Sequence, residues 1–152
     1  MKYKTIDELQ NFSFTDAYIG DIQVTNGFFH MELDNVIILP ENSCNCDIRK
    51  MRTNGLVLKL EDFEITSLVE EGYKVFDANG KPMNAVEDVV ISEQEHFSVM
   101  KELTEGVIYS LEKKEDTYIF SIDASNERTY ELKVRASHDF EEWERFLNLA
   151  EE

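Results

Sequence analysis

Apolar and polar residues alternate with a period of two along much of this chain, the mark of strands with one face buried and one in water. The pattern is cleanest in Val107–Leu111, Tyr118–Ile122 and Tyr130–Val134, which read as three strands on short turns. Tyr118, Phe120 and Ile122 form one inward set and Tyr130, Leu132 and Val134 another, with Thr117, Ser121, Glu131 and Lys133 among the outward residues. Such alternation is the habit of antiparallel sheets. Further upstream, Tyr18–Val24 and Phe28–Leu33 flank Asn26-Gly27. Asn-Gly suits both positive-φ positions of a type I′ hairpin turn. A two-residue loop sets Val24 opposite Phe29, Ile22 opposite Met31 and Gly20 opposite Leu33, and on the other face Gln23 opposite His30 and Asp21 opposite Glu32.

The alternation changes parity twice. Phe29, Met31 and Leu33 are odd, then Val36 and Ile38 even; Leu56, Leu58 and Leu60 are even, then Phe63 and Ile65 odd. Single-residue slips of this kind predict β-bulges, which bend strands where a sheet folds over itself; burial of Val36–Leu39 on both faces is the alternative. Pro40 ends that strand, and Glu41–Asn54 is a long connection, shortened by a helix around Cys46–Arg52. Tyr73–Phe76 and Val86–Ile91 read as strands, with a second Asn-Gly turn at Asn79-Gly80. Ser92 and Glu95 have capping-box spacing before a helix to about Thr104, with a strand through His96–Val99 as the competitor. Thr5 and Glu8 have the same spacing, predicting a short N-terminal helix over Thr5–Phe12.

The end of the chain reads as a helix from about His138, capped by Ser137, with Asp139, Glu141 and Glu142 against its positive end. Phe140, Trp143, Leu147 and Ala150 recur at three or four residues and give it a buried stripe, anchored by the only tryptophan. The run Tyr118-Ile-Phe-Ser-Ile, then Arg128-Thr-Tyr-Glu-Leu-Lys-Val-Arg-Ala-Ser137, then Glu142-Trp143-Glu-Arg-Phe-Leu147 resembles the end of a pleckstrin-homology domain. That resemblance covers about the last quarter of the chain. It implies a bent seven-stranded barrel plugged at one end by a tryptophan-bearing C-terminal helix. The family's lipid-binding members use Lys and Arg on and after the first strand; Tyr18–Leu33 has neither, so phosphoinositide binding is not implied. The expected fold is mainly β (α+β): a bent antiparallel sheet or barrel of about seven or eight strands, a C-terminal helix packed on it and a short N-terminal helix. Residues 1–152 read as a single domain, long enough to bury a core without staples.

With Lys+Arg at 15 and Asp+Glu at 32, the formal charge is −17. That argues against nucleic acid and anionic membranes, which are bound by neutralising phosphates, and it suits a basic protein partner. The N-terminus has no apolar segment with a small-residue cleavage site, and Val36–Leu39 is the longest aliphatic run, so a cytoplasmic protein is expected. Cys44 and Cys46 are too close in sequence to bridge readily and are expected as reduced thiols.

Candidate chemistry is sparse. Cys44 and Cys46 have no second cysteine pair or paired histidines to complete a tetrahedral metal site, and no cofactor is expected. Asp21 opposite Glu32, beside His30, is the best acid–base group on offer, and opposed like charges invite a cation or basic partner. A solvated face of an acidic protein explains it as well. Arg49, Lys50 and Arg52 stand out against the acidic background and, with Cys44, Cys46 and Met51, make a candidate contact loop; pairing with Asp47 and Glu41 is the plainer reading. No nucleophile elbow, phosphate loop or metalloprotease spacing is present, so an enzyme is the least expected class. The expected function is a non-catalytic protein-interaction module. An immunity or inhibitor protein that binds a basic partner by charge mimicry is a second class, and a small-ligand β-barrel a third.

Overall fold

The computed structural model describes residues 1–149. Its strands are β1 (Tyr3–Ile6), β2 (Phe12–Ser13), β3 (Tyr18–Thr25), β4 (Phe28–Asp34), β5 (Val36–Ile38), β6 (Met51–Thr53), β7 (Leu56–Glu61) and β8 (Glu64–Glu70). They are followed by β9 (Tyr73–Phe76), β10 (Pro82–Val86), β11 (Val89–Val90), helix α1 (His96–Glu102), β12 (Val107–Lys114), β13 (Thr117–Asp123), β14 (Thr129–Arg135) and β15 (His138–Trp143). Ten strands form one sheet in the order β1-β15-β7-β4-β3-β12-β13-β14-β8-β11; β2-β5-β6 and β9-β10 form two smaller ones. Every ladder is antiparallel.

The ten-stranded sheet folds over on itself. Its halves, β1-β15-β7-β4-β3 and β12-β13-β14-β8-β11, meet at one end through a single ladder pair, Tyr18 with Val107. On the other side β7 runs into β8 through Asp62, whose φ is +51°. Phe29 of β4 packs on Phe120 of β13 (6.3 Å between ring centroids) and on Phe63 (5.9 Å), so the halves share one interior. Met31, Leu33, Leu56, Leu58 and Leu60 fill it from one side and Tyr118, Ile122, Leu132 and Val134 from the other, all buried.

The Asn26-Gly27 hairpin forms in the expected register from Thr25↔Phe28 to Asp21↔Glu32. Beyond that Gly20 is bulged, so Ile19 and not Gly20 faces Leu33. The parity slip after Leu33 is not a bulge in one strand. Leu33↔Leu56 in β4–β7 and Val36↔Thr53 in β5–β6 keep one hairpin register across two sheets. Between them Asn35 (φ +63°) and Gly55 (φ +72°) take left-handed backbone, which turns both strands together out of the large sheet. Asn54 Oδ1 accepts from Asn35 N (2.8 Å) and Asp34 Oδ1 from Gly55 N (2.8 Å), fixing the corner.

Three expected elements are corrected. The C-terminal helix is strand β15, paired with β1 through Tyr3↔Trp143 and with β7 through Asp139↔Leu60; Ala150 lies outside the described residues. The N-terminal helix is β1, a single 3-10 turn at Leu9–Asn11, and β2. The Cys46–Arg52 helix is a set of turns ending in β6. The barrel of seven or eight strands is likewise an open ten-stranded sheet whose ladders leave β1 and β11 at its edges. Over 95–104 the helix prevails, as α1.

Candidate interaction surface

Asp21, His30 and Glu32 do come together. With Gln23 and Val57 they line a shallow recess of about 140 Å³ on the outer face of β3–β4. Asp21 is occupied locally, accepting from Ile22 N (3.0 Å) and Gln23 Nε2 (2.6 Å). Partial burial and the nearby Lys59 ammonium lower the His30 pKa against the opposing pull of Glu142. The lowered pKa favours a neutral imidazole, which shares the recess with Asp21 and Glu32.

The contact loop is divided. Cys44, Cys46 and Met51 share a recess of about 350 Å³ with Tyr3 and Phe146, and both cysteines are free thiols. Arg49 turns back on Asp47, donating from Nε and Nη2 to its carboxylate (3.2 and 3.0 Å). Arg52 forms a two-way backbone bridge with Leu147, while Lys50 stands exposed. None of the three cations lines the recess that holds the cysteines. Among the described residues no group of three or more His, Cys, Asp or Glu is placed to hold a metal ion.

The three anchors separate because β15 is a strand. Trp143 points inward, fully buried against Tyr3, Phe12 and Phe146. Phe140 lies on the other face against Phe28 (6.0 Å) with Lys4 over its ring (5.2 Å). Alternation also sends Asp139 and Glu141 into the interior, where both are buried. Asp139 Oδ2 accepts from Tyr118 Oη (2.6 Å) with Lys113 Nζ 3.8 Å away, and its Oδ1 accepts from Leu9 N (3.1 Å). Glu141 Oε1 accepts from Thr5 Oγ1 (2.7 Å). Burial, then the adjacent Asp139 carboxyl, push the Glu141 pKa up to about 10. A protonated Glu141 donates to Asp139, which gives its Oε2 the partner it otherwise lacks. Burial and the Asp139 contact also raise the Tyr118 pKa. These carboxyls sit inside the fold, sealed from solvent, and tie β1 to the chain's far end.

The most unusual surface is one that periodicity did not single out. Strands β9 and β10 pair only with each other and project from the sheet as an arm, with every residue exposed except the half-exposed Val86. Of fourteen exposed large apolar side chains among the described residues, seven fall between Tyr73 and Phe97: Tyr73, Val75, Phe76, Met83, Val89, Val90 and Phe97. Met83 and Val90 are 67% and 76% exposed. From Glu70 to Glu95 the chain carries seven acids (Glu70, Glu71, Asp77, Glu87, Asp88, Glu93, Glu95) against Lys74 and Lys81. The pattern at Tyr73–Phe76 signals strand β9, whereas β10 (Pro82–Val86) precedes the strand expected over Val86–Ile91, of which only Val89–Val90 pairs as β11; periodicity cannot say that neither face of the arm would be covered.

The arm is held at its base. Gly72 packs so tightly there that an added Cβ would lie 1.9 Å from Val86 O, and Gly72 N donates to Asp88 Oδ1 (2.6 Å). At the tip, Asp77 Oδ1 accepts from Asn79 N and Lys81 N (both 2.9 Å). No protein-family model, no curated protein and no solved structure matches the chain.

Proposed function

We propose that the protein is a non-catalytic protein-interaction module that engages a basic partner through the arm β9–β10 and the adjoining β11 and α1. The observation that carries this reading is the concentration of exposed Tyr73, Val75, Phe76, Met83, Val89, Val90 and Phe97 within one acid-fringed segment. Scattered exposed apolar residues are normal, whereas a cluster rimmed by charge marks a contact site. The acids steer a cationic partner and discriminate against acidic ones, and the apolar side chains supply the desolvated contact. The sites named from the sequence fit less well: the Asp21–His30–Glu32 recess is small and internally hydrogen-bonded, and Arg49 of the Cys44–Arg52 loop is paired with Asp47.

Photo-crosslinking tests it. A photoreactive residue at Phe76, on the arm, and one at Glu115, in the exposed β12–β13 turn, are compared in the native host cell. The Phe76 position should trap a discrete, basic set of proteins that Glu115 does not. Equal and indistinguishable capture at both positions refutes the reading.

A further inference from the structure

The edge of the large sheet next to the arm is incompletely covered. Strand β8 is paired with β14 from Glu64 to Glu70. On its other side β11 pairs only with Val69 and Glu70, and Ile91 N adds one bond to Leu68 O (2.9 Å). The chain then leaves the sheet: Ser92 begins a 3-10 turn that leads into α1. Residues Glu64–Ser67 are thus laddered on one side only. The space between them and the departing chain is a groove of about 620 Å³ lined by Phe63, Ile65 and Thr66 of the β8 side and by Ile91, His96 and Phe97 of the departing chain.

The opposite edge of the sheet is treated differently. Strand β1 is overhung by the 42–46 loop, with Cys44 Sγ 3.7 Å from Lys4 O and Ser43 N held by Glu8 Oε1 (2.9 Å). Natural sheets blunt their edges with lysine, proline, a bulge or a cover. Glu64-Ile65-Thr66-Ser67 has no lysine or proline, and its groove is open. It does have one bulge, at Thr66, where the β14 register steps from Ser67 to Ile65. That kink limits the unkinked length available to an added strand.

The geometry points to strand addition: a short extended segment of a partner protein, alternating basic and apolar residues, enters the groove and pairs with β8 along Glu64–Ser67. This rests on the interaction-module reading and names the recognition mode. Main-chain hydrogen bonds give the affinity, and alternate side chains settle on Ile65 and Phe97. Four residues of edge span about 13 Å. Charge selects the occupant: Glu93 stands exposed in the lining, and the one Lys or Arg there, Arg135, is already paired with Glu64. A second copy of this chain brings another −17 to the contact, so pairing edge to edge is opposed electrostatically.

The test is a fluorescence-anisotropy titration of the whole protein with a labelled peptide of about seven residues alternating lysine and valine. Its control has the same sequence with alternate backbone nitrogens methylated, which keeps charge and side chains but removes half the donors. The parent peptide should bind saturably and protect the amides of Glu64–Ser67 from hydrogen exchange. The methylated peptide and the exposed-site variant Phe97→Lys should each weaken binding about tenfold or more, while the arm variant Phe76→Ser/Met83→Ser leaves it unchanged. Equal binding of the methylated peptide, absence of saturable binding, or protection of these amides by the protein alone at raised concentration each overturns the proposal. Loss in the arm variant with Phe97→Lys intact also overturns it while leaving the arm as the contact. Failure of crosslinking at Phe76 with peptide binding intact removes the arm instead.

Discussion

Replacing Glu141 by glutamine should abolish a specific part of the protein's pH dependence. In the folded chain burial and Asp139 lift the Glu141 pKa from an ordinary 4.5 to about 10. The folded state therefore holds a proton across that interval that the unfolded state has released. Stability must fall as pH rises through the window, by about 1.4 kcal/mol per pH unit for one proton. Between about pH 5.5 and about pH 7.5 the loss is roughly 3 kcal/mol. Glutamine keeps the shape, accepts from Thr5 and donates to Asp139, but has no proton to lose. Urea unfolding of both proteins across the range reads the difference, since titrating groups remote from Glu141 cancel. The variant should gain on the wild type steadily with pH, and a difference that stays flat refutes a neutral Glu141.

Trp143→Ala should cost about 3–5 kcal/mol in chemical unfolding, the range for emptying a large aromatic site. Trp143→Phe should cost distinctly less, because the indole Nε1 is buried without a hydrogen-bond partner and its loss strands nothing. Asn35→Gly should leave the melting temperature within a degree or two, whereas Asn35→Val should lower stability by about 1–2 kcal/mol, since a β-branched residue resists the φ of +63° at this corner. Gly72→Ala should loosen the arm by driving a Cβ into Val86 O; hydrogen exchange should rise across Tyr73–Val86 while β13 and β14 keep their protection.

Where period two was unbroken, the sequence could be read to the residue. Tyr118↔Val134, Phe120↔Leu132 and Ile122↔Tyr130 pair as the alternation implies, and Asn26-Gly27 gives its hairpin. The parity slips, expected as β-bulges within two long strands, are breaks at which one strand ends and the next begins in a new direction. What pattern could not supply was the cause at each: left-handed Asn35 and Gly55 at one corner, left-handed Asp62 at the other. Among the site residues, Asp21, His30 and Glu32 were placed together because hairpin register is local. The arm and the β8 edge were not foreseen, since exposure of Phe76 or openness beside Thr66 depends on what the rest of the chain fails to cover.

The misreading of His138–Trp143 has a single physical source. As a helix, Phe140, Trp143 and Leu147 make a clean stripe and the acids stay in water. As a strand the inward set is Asp139, Glu141 and Trp143, which any hydrophobicity count rejects. The strand wins because its backbone closes two ladders at once, with β1 and with β7, and because the two carboxyls are not two buried charges. Glu141 keeps its proton, and Tyr118, the Leu9 amide and Lys113 surround Asp139. Isolated buried carboxylates cost several kcal/mol each, but a neutral acid hydrogen-bonded to an anion with three other partners costs far less. Periodicity counts side chains as apolar or polar at fixed protonation, so a fold stabilised by protonating one of its acids lies outside what it can find. The same proton makes the closing strand a pH-sensitive part of the scaffold. The β8 edge lies near the opposite end of the sheet order from β15, and Glu141 does not line its groove. A partner's dependence on pH at the β8 edge should therefore differ from the pH dependence of folding, and coincidence of the two profiles in wild type and Glu141→Gln alike would show that binding merely reports unfolding.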